Sequence, residues 1–100
     1  MFVAIYRYHV PTDKTKEYIM LQRKAIELYT EHGCLGVEIY RDDKDPRRWM
    51  EINRYEDRAH YGEVIAAVDG DPRIKPLFEE FMSLIDSEET TKRSTYYRMI

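Results

Sequence analysis

The segment between residues 47 and 57, "RRWMEINRYED", constrains the fold most strongly, because as a strand it has two sides that both avoid water. Side chains alternate between the faces of a strand. One side carries Trp49, Glu51, Asn53 and Tyr55, and the other carries Met50, Ile52 and Arg54. The second side suits a core, whereas the first is too aromatic for open water and too polar for a dry interior. We therefore expect a sheet that is covered on both faces.

The composition indicates one globular domain spanning residues 1–100. It is 43% hydrophobic and 35% charged, which is not the composition of a disordered chain. The formal net charge of -3 provides no basic field for nucleic acid or an anionic membrane. The single cysteine, Cys34, excludes an internal disulfide framework and is typical of a reducing compartment. With no apolar run long enough to span a bilayer and a strand-like N-terminus, we expect a cytoplasmic protein without a membrane partner.

The first half of the chain predicts a strand, a helix and a second strand. Residues 2–10 alternate as a strand that Pro11 ends, and Thr12 or Asp13 can cap the following helix. Gly33 suits the position just after that helix. "CLGVEIYR" is then a strand, and "RDDKDPR" is a polar turn.

The second half repeats this strand, helix, strand pattern. The third strand spans about 48–55, and Asp57 caps the helix "RAHYGEVIAAV". "DGDP" interrupts that helix, which continues as "RIKPLFEEFMSLI". A polar stretch, "DSEETTKR", leads to a last strand, "STYYRMI".

This β-α-β-β-α-β order predicts a ferredoxin-like α+β fold, with an antiparallel four-stranded sheet and both helices on one face. The aliphatic residues should lie under the helices: Val3, Ile5, Val37, Ile39, Met50, Ile52, Tyr97 and Met99. The opposite face then carries Phe2, Ala4, Tyr6, Tyr8, Glu38, Tyr40, Trp49, Glu51, Asn53, Tyr55, Tyr96 and Arg98. Such a patch is larger than a monomer usually exposes, so we expect a partner to cover it.

Three interpretations of that covered face compete. A second copy could pack against it, which the continuity of the face across four strands favours. RNA could stack on Tyr6 or Tyr8 and Trp49, but the glycine-containing signature of RNA-binding strands is absent and Glu38 and Glu51 would repel phosphate. The third interpretation is an amphipathic sheet that stays partly exposed. We predict a homodimer and no nucleic-acid partner.

Four cationic side chains are candidates for binding an anionic ligand. We expect the first and third strands to run parallel, so that both helices begin at the same end of the sheet. Arg7, His9 and Arg54 should then lie on the helix-facing side at that end, and Arg93 should join them. Cations beside helix N-termini suit a carboxylate or phenolate. The alternative is that neighbouring acidic residues neutralise these side chains.

His60 and Tyr61, in the first turn of the second helix, are the candidate catalytic residues. Either could orient a substrate or pass a proton, although a structural role for a lone histidine is the plainer interpretation. The three histidines share no metal-ligand spacing, so no metal site is expected.

The segment "EHGCLGVEIYRDDKDPRRWMEINRYEDRAHY" resembles the antibiotic biosynthesis monooxygenase-like families of the dimeric α+β barrel superfamily. The matching positions are Gly33, Cys34, Glu38, Tyr40, Arg41, Asp45, Pro46, Trp49 and Asp57. The resemblance implies a homodimer, a small cavity between sheet and helices and, in some members, oxygenation of electron-rich aromatic substrates without a cofactor. Asn53-Arg54-Tyr55 departs from the Glu-x-Trp that many relatives carry, and the residues of the haem-degrading branch are missing.

We therefore predict a small-molecule-binding protein, with a cofactor-independent monooxygenase acting on an aromatic or phenolic substrate as its sharpest form. Arg7 and Arg54 would hold an anionic or phenolic oxygen, and Tyr61 or His60 would orient the substrate. The alternative is a non-catalytic homodimeric domain. A cavity reaching these residues favours the first hypothesis, and side chains that fill the space favour the second.

Overall fold

The elements follow the predicted order in a computed structural model, which describes residues 1–85 and 92–100. They are β1 (Phe2–His9), a short 3₁₀ turn (Thr12–Lys14), α1 (Thr15–Glu31), β2 (Gly36–Arg41), β3 (Arg48–Tyr55), α2 (Arg58–Asp69), α3 (Ile74–Leu84) and β4 (Lys92–Tyr97). The predicted interruption of the second helix is confirmed, because α2 and α3 are separate helices. Residues 86–91 of the predicted polar stretch lie outside the described residues.

The sheet has the strand order β2-β3-β1-β4, and all neighbouring strands are antiparallel. This confirms the ferredoxin-like α+β class with β1 and β3 at the centre. The expectation that β1 and β3 run parallel is wrong, since Phe2 lies opposite Tyr55 and Tyr8 opposite Trp49. A short turn reverses the chain between β2 and β3, whereas helix α1 carries it back from β1 to β2 in the same direction. Helices α1 and α2 therefore begin at opposite ends of the sheet.

The turn between β2 and β3 is held by its own acidic side chains. The Asp42 carboxylate accepts hydrogen bonds from the backbone N–H groups of Lys44, at 2.9 Å, and Asp45, at 2.7 Å. Asp45 accepts one from the N–H of Arg47 at 3.0 Å. Because a hairpin turn sets the strand register, these bonds hold Tyr40 opposite Met50.

The assignment of faces is wrong for the two central strands. Side chains predicted to meet a partner are buried under the helices instead: Phe2, Ala4, Tyr8, Trp49, Asn53 and Tyr55. They form two clusters with helix residues, including Leu28, Val64 and Val68 in one and Tyr18, Leu21 and Leu84 in the other. The aliphatic side chains Val3, Ile5, Met50 and Ile52 are only half-buried and lie on the opposite, outer face.

The edge strands were assigned correctly, and they show why the central ones were not. Val37 and Ile39 of β2 pack against the two core clusters, as predicted. They lie opposite Asn53 and Glu51, and directly opposed residues share a face. On β4, Tyr97 meets the ring of buried Phe2 at 5.1 Å, which confirms its predicted side. Met99 lies beyond the strand and is exposed rather than core.

Capping side chains and one glycine define the helix ends. Asp57 accepts a hydrogen bond from the N–H of His60 at 2.8 Å, which confirms the predicted cap of α2. Gly33 follows α1 with a φ of 106°, a conformation that side chains with a Cβ avoid. The chain then turns, and the N–H of Cys34 bonds to the carbonyl of Tyr29 at 3.0 Å. Within the described ranges, no helix combines the length and apolar character needed to cross a bilayer.

Candidate functional site

Glu51 is half-buried by surface area, and its carboxyl group is enclosed between the sheet and α1. The hydroxyl of Tyr8 donates to Glu51 Oε1 at 3.1 Å, and Gln22 Nε2 donates to the same oxygen at 3.1 Å. Gln22 Nε2 also lies 3.1 Å from the Tyr8 hydroxyl, which in turn shares a hydrogen bond with the hydroxyl of Tyr18. We call these four residues, Tyr8, Tyr18, Gln22 and Glu51, the Glu51 cluster.

Burial governs the protonation of this cluster. It raises the pKa of Glu51, and hydrogen bonds with Tyr8, Gln22 and Asn53 lower it by a smaller amount. Burial is also the largest cause of the raised pKa of the Tyr8 and Tyr18 phenols. These phenols therefore stay neutral near neutral pH and can serve as hydrogen-bond donors, whereas Glu51 is the carboxyl group of the cluster, and burial favours its protonated form.

Half-buried tyrosines connect the Glu51 cluster to the surface. Tyr6 of β1 lies directly opposite Glu51 on one side and Arg93 on the other. Burial, followed by the charge of Tyr61, raises the pKa of Tyr6. The exposed Arg93 donates from Nη1 to the Tyr61 hydroxyl at 3.2 Å. A row of polar groups thus runs from the interior carboxyl to a cation at the edge of the sheet.

Aromatic packing closes the space around this row. The ring of Tyr61 lies 5.3 Å from that of Phe2 and 5.0 Å from that of Tyr55. Tyr29, whose pKa burial raises to about 12, packs against the same core cluster. Tyrosine side chains therefore occupy the layer between sheet and helices: Tyr6, Tyr8, Tyr18, Tyr29, Tyr55 and Tyr61.

Of the predicted ligand-binding and catalytic residues, the structure brings together only Arg93 and Tyr61 among those it describes. Arg7 is exposed on the outer face opposite Met50, and Arg54 lies on the same face opposite Val3, two rows away. The predicted cluster of cations on the helix-facing side is therefore not assembled. Antiparallel β1 and β3 separate Arg7 from Arg54, and the inverted faces place both on the side away from the helices.

The two candidate histidines have structural partners. His9 Nε2 lies 3.8 Å from a carboxylate oxygen of Asp45. His60 Nδ1 accepts a hydrogen bond from the backbone N–H of Glu56 at 3.0 Å, and its ring packs on Tyr55 at 5.9 Å. These contacts place His60 at the start of α2 as part of its cap and do not favour the predicted catalytic role.

The predicted partner-facing residues divide between the two faces. Glu38, Tyr40 and Tyr96 lie on the outer face, where Glu38 bonds Tyr40 and Arg54. Arg98 follows β4, and its N–H bonds to the carbonyl of Met1 at 2.8 Å. The others belong to the helix-covered side, which corrects their assignment: Tyr6, Tyr8, Trp49, Glu51, Asn53 and Tyr55.

Sequence reasoning missed Glu51, Gln22 and Tyr18 as a polar centre. Glu51 was assigned to the outer face because a carboxyl group is rarely buried. The available signal was the short turn after β2, because it ties Glu51 to the face of the plainly apolar Ile39. Asn53 Oδ1 is buried with no hydrogen-bond partner within residues 1–85 and 92–100, so this layer retains an unsatisfied acceptor. Across the same residues, no group of three or more His, Cys, Asp or Glu side chains could hold a metal ion.

The β-α-β-β-α-β order and the helix-covered antiparallel sheet define a ferredoxin-like α+β domain, and the Glu51 cluster lies in its core. Residues 1–63 match the family model for antibiotic biosynthesis monooxygenase. Since the match covers more than half of the chain, the chain belongs to the antibiotic biosynthesis monooxygenase family, which confirms the resemblance. A search of the curated proteins found no match.

Solved structures share the fold at low sequence identity. A protein described as a putative antibiotic biosynthesis monooxygenase from Nitrosomonas europaea is 21% identical over 100% of both chains, with a TM-score of 0.78. A protein from Agrobacterium tumefaciens is 18% identical over 97% of this chain and 92% of its own, with a TM-score of 0.79. A mutant of SnoaB, described as a cofactor-independent oxygenase from Streptomyces nogalater, is 12% identical over 99% of this chain and 93% of its own, with a TM-score of 0.78.

Proposed function

We propose that this protein binds a small phenolic molecule and oxygenates it without a metal or organic cofactor, using Glu51 as the proton acceptor. The observation that carries the proposal is a buried carboxyl group with a raised pKa, held by the donors of Tyr8 and Gln22. Membership of the monooxygenase family supports it. The description of SnoaB as a cofactor-independent oxygenase supports the same class of reaction.

The reaction needs a base because dioxygen attacks an electron-rich anion far more readily than a neutral ring. The Glu51 carboxylate takes a proton from a substrate CH₂ group conjugated with a phenol. The resulting anion transfers one electron to dioxygen, and the two radicals combine into a C–O bond, giving a hydroperoxide. Loss of water leaves a carbonyl, so that CH₂ and O₂ become C=O and H₂O. The proton on Glu51 returns to the peroxide oxygen, and the substrate supplies all four electrons that reduce dioxygen, so no external reductant is needed.

Tyr61 and Arg93 supply the proposed entry to the site. Arg93 is exposed and Tyr61 is half-buried at the edge of the core cluster, so their hydrogen bond lies between that cluster and solvent. A phenolate oxygen would replace the Tyr61 hydroxyl as the acceptor for Arg93, a charge-assisted hydrogen bond. Tyr6 lies between this entry and Glu51 and would contact the ring.

A second candidate is a non-catalytic domain, which the tyrosine packing favours. The layer beside Glu51 is occupied by aromatic rings, and a ligand must displace at least one of them. In this case the Glu51 cluster only gives the core a specific polar contact.

Oxygen uptake with phenolic probes separates the two candidates. We expect consumption of dioxygen with anthrone or its 1,8-dihydroxy derivative, which carries both the CH₂ group and a phenol, in the presence of EDTA. We also expect a fall of about 10²-fold or more in kcat for Glu51→Gln. Since the carboxylate is the active form, kcat/KM should rise with pH through the raised pKa of Glu51. Arg93→Gln should raise KM. Glu63→Gln, an exposed change on α2, is the matched control and should leave both parameters unchanged.

The proposal fails if folded wild-type protein consumes no more dioxygen than the probe alone. It also fails if Glu51→Gln, with an unaltered circular dichroism spectrum, retains wild-type kcat. Oxygen consumption no higher than that of the probe alone, together with no ligand-induced change in the tyrosine absorbance or NMR signals, would identify the non-catalytic domain.

We also propose that the outer face packs against a second copy of the chain. Its centre is aliphatic, with Ile5 directly opposite Ile52 and Val3 and Met50 beside them. These side chains are half-buried in the single chain, and a second copy would remove the remainder from water. A cytoplasmic location remains a prediction from the sequence.

A further inference from the structure

Two polar atoms of β3 are buried beside the Glu51 cluster without a partner. Asn53 is 2% exposed and Tyr55 is 0% exposed. Asn53 Oδ1 and the Tyr55 hydroxyl have no hydrogen-bond partner of normal geometry within the described parts of the chain. A buried polar group without a partner costs free energy, so its presence in a folded protein calls for an explanation. Two such groups on one face of one strand indicate a place where a polar ligand group is bound.

The orientation of the Asn53 amide follows from its neighbour Glu51. Hydrogen bonding from Asn53 lowers the pKa of the Glu51 carboxyl, so the amide NH₂ faces that carboxyl as a donor. The amide oxygen is then left as an acceptor. Its cross-strand neighbours, Ala4 of β1 and Val37 of β2, have apolar side chains and offer no donor. A ligand group that satisfies this oxygen must therefore donate a hydrogen bond.

Tyr55 supplies a donor next to this acceptor. Burial is the largest cause of its raised pKa, so the phenol keeps its proton near neutral pH. The Asn53 side chain lowers the same pKa by a smaller amount, which places the two groups close together. A neutral hydroxyl both donates and accepts, so one hydroxyl matches the pair. A carboxylate or an ether oxygen only accepts and leaves Asn53 Oδ1 unsatisfied.

The proposed entry leads to this pair. The ring of Tyr61 lies 5.3 Å from that of Phe2 and 5.0 Å from that of Tyr55. A ligand that takes the place of the Tyr61 side chain at Arg93 therefore lies against Phe2 and Tyr55. Neighbouring strands are about 4.8 Å apart, so β3 lies about 10 Å from β4 across β1. A fused-ring phenol with one oxygen at Arg93 is long enough to bring a second oxygen to Asn53.

We propose that Asn53 and Tyr55 form a hydroxyl-recognition site that determines which phenols the protein binds. Asn53 Oδ1 accepts a hydrogen bond from a neutral hydroxyl of the ligand, and the Tyr55 hydroxyl donates to the oxygen of that group. Glu51 precedes Asn53 by two residues on the same face of β3, so this contact fixes the ligand ring beside the proposed base. The inference rests on the proposed function for the location of the ligand, but binding itself requires no oxygenation.

Three matched ligands test the proposal on the full chain. 2,6-Dihydroxynaphthalene has one hydroxyl for Arg93 and a second for Asn53. 6-Methoxy-2-naphthol replaces the second hydroxyl by a group that cannot donate, and 2-naphthol lacks it. None carries the CH₂ group that Glu51 is proposed to deprotonate, so all three report binding alone. In calorimetric titrations at neutral pH without oxygen, the diol should bind at least about tenfold more tightly than either analogue. Since one analogue is larger than the diol and the other smaller, ligand size does not give this order.

Side-chain amide NMR signals report the contact directly. The chain has a single asparagine and a single glutamine, so these signals come only from Asn53 and Gln22. The diol should shift the Asn53 signal of the wild-type protein more than 2-naphthol does. The signal that is missing from the spectrum of Asn53→Leu identifies Asn53. This measurement needs only wild-type protein once the signal is assigned.

Variants identify the groups that recognise the second hydroxyl. Asn53→Leu and Tyr55→Phe should each reduce the preference for the diol to less than about threefold. Tyr96→Phe removes a phenolic hydroxyl from the outer face and is the matched control, which should keep the tenfold preference. Arg93→Gln should weaken all three ligands to the same extent, because each keeps the first hydroxyl. Circular dichroism confirms that the variants fold.

Equal binding of the diol and its methyl ether by folded wild-type protein would overturn the inference. A preference that survives Asn53→Leu but is lost with Arg93→Gln would also overturn it, because the second hydroxyl would then be recognised at the entry. The two proposals fail separately. Oxygen uptake by the anthrones without a preference for the diol would refute the recognition site alone. A tenfold preference without oxygen uptake would support the recognition site and refute the oxygenation.

Discussion

At the scale of single residues, Glu51 links the proposed chemistry to stability. Burial raises its pKa in the folded protein above the unfolded value, so the folded state binds the proton more tightly. Its contribution to stability is complete below the unfolded pKa and is lost as the pH rises through the folded pKa. The residue proposed as the base is therefore a destabilising one wherever it is ionised, a common property of functional groups.

We accordingly expect the free energy of unfolding of Glu51→Gln, relative to that of wild type, to be higher at high pH than at low pH. Urea unfolding between about pH 4 and pH 8 should show the free energy of unfolding of the variant rising relative to wild type. Glu63→Gln, on the exposed side of α2, is the control and should show no such trend. A difference between Glu51→Gln and wild type that stays constant with pH would contradict the buried, titrating carboxyl.

Two glycines offer an opposed pair of predictions. Gly33 has a φ of 106°, and a Cβ there would lie 3.4 Å from His60 Nε2. Gly33→Ala should therefore destabilise by about 1–2 kcal/mol. Gly62 lies within α2 with nothing within 4 Å of an added Cβ, so Gly62→Ala should stabilise by about 0.5–1 kcal/mol. Thermal unfolding of the two variants checks both signs. Stabilisation by Gly33→Ala would contradict the account of Gly33, and destabilisation by Gly62→Ala would contradict that of Gly62.

At the scale of elements, α1 contributes more buried side chains than either other described α-helix: Tyr18, Leu21, Gln22 and Leu28. Leu28 is 2% exposed and packs in the cluster with Phe2 and Tyr55. Leu28→Ala should lower the free energy of unfolding by about 2–5 kcal/mol. Met20 of the same helix is 56% exposed, so Met20→Ala should change it by less than about 0.5 kcal/mol. If chemical denaturation gave the same change in unfolding free energy for Leu28→Ala and Met20→Ala, α1 would not pack on the core through the Leu28 side.

The elements themselves were predictable because their signals are local. Pro11, Gly33 and Asp57 mark helix and strand ends through their own backbone and side-chain chemistry, and the structure places an end at each. The faces of β1 and β3 were not predictable from apolarity. Their buried sides include polar atoms that find partners on α1, as Tyr8 does with Tyr18, and that pairing is not local in sequence.

The same limit applied to the candidate site. Arg93 and Tyr61 were each predicted separately, and the structure joins them. The Glu51 cluster was missed because it needs the register of β1 against β3 and the packing of α1 on both. Judged by residue type alone, the aliphatic side of β1 and β3 was predicted to face the helices. The strand register shows that the helices cover the other side.

At the scale of the whole molecule, the outer face is the surface proposed to meet a second copy. Ile52→Asp places a charge at its centre, opposite Ile5, and should convert a dimer into monomers at micromolar concentration. Sedimentation velocity measures the change. Phe78→Asp replaces an apolar side chain that is 59% exposed on α3 and is the matched control, which should remain dimeric. A wild-type protein that sediments as a monomer would contradict the dimer.

The turn between β2 and β3 has a consequence for how this chain can vary. Hydrogen bonds to Asp42 and Asp45 fix the conformation of this turn. The number of residues in the turn then sets the strand register, with Ile39 opposite Glu51 and Tyr40 opposite Met50. A slip of one residue would exchange the side chains that face the helices with those that face outward. In a library of variants, substitutions at the exposed positions of this turn should survive selection for folding, whereas single-residue insertions and deletions should be eliminated. The number of residues in the turn, more than their identity, therefore keeps the carboxyl inside and the aliphatic surface outside.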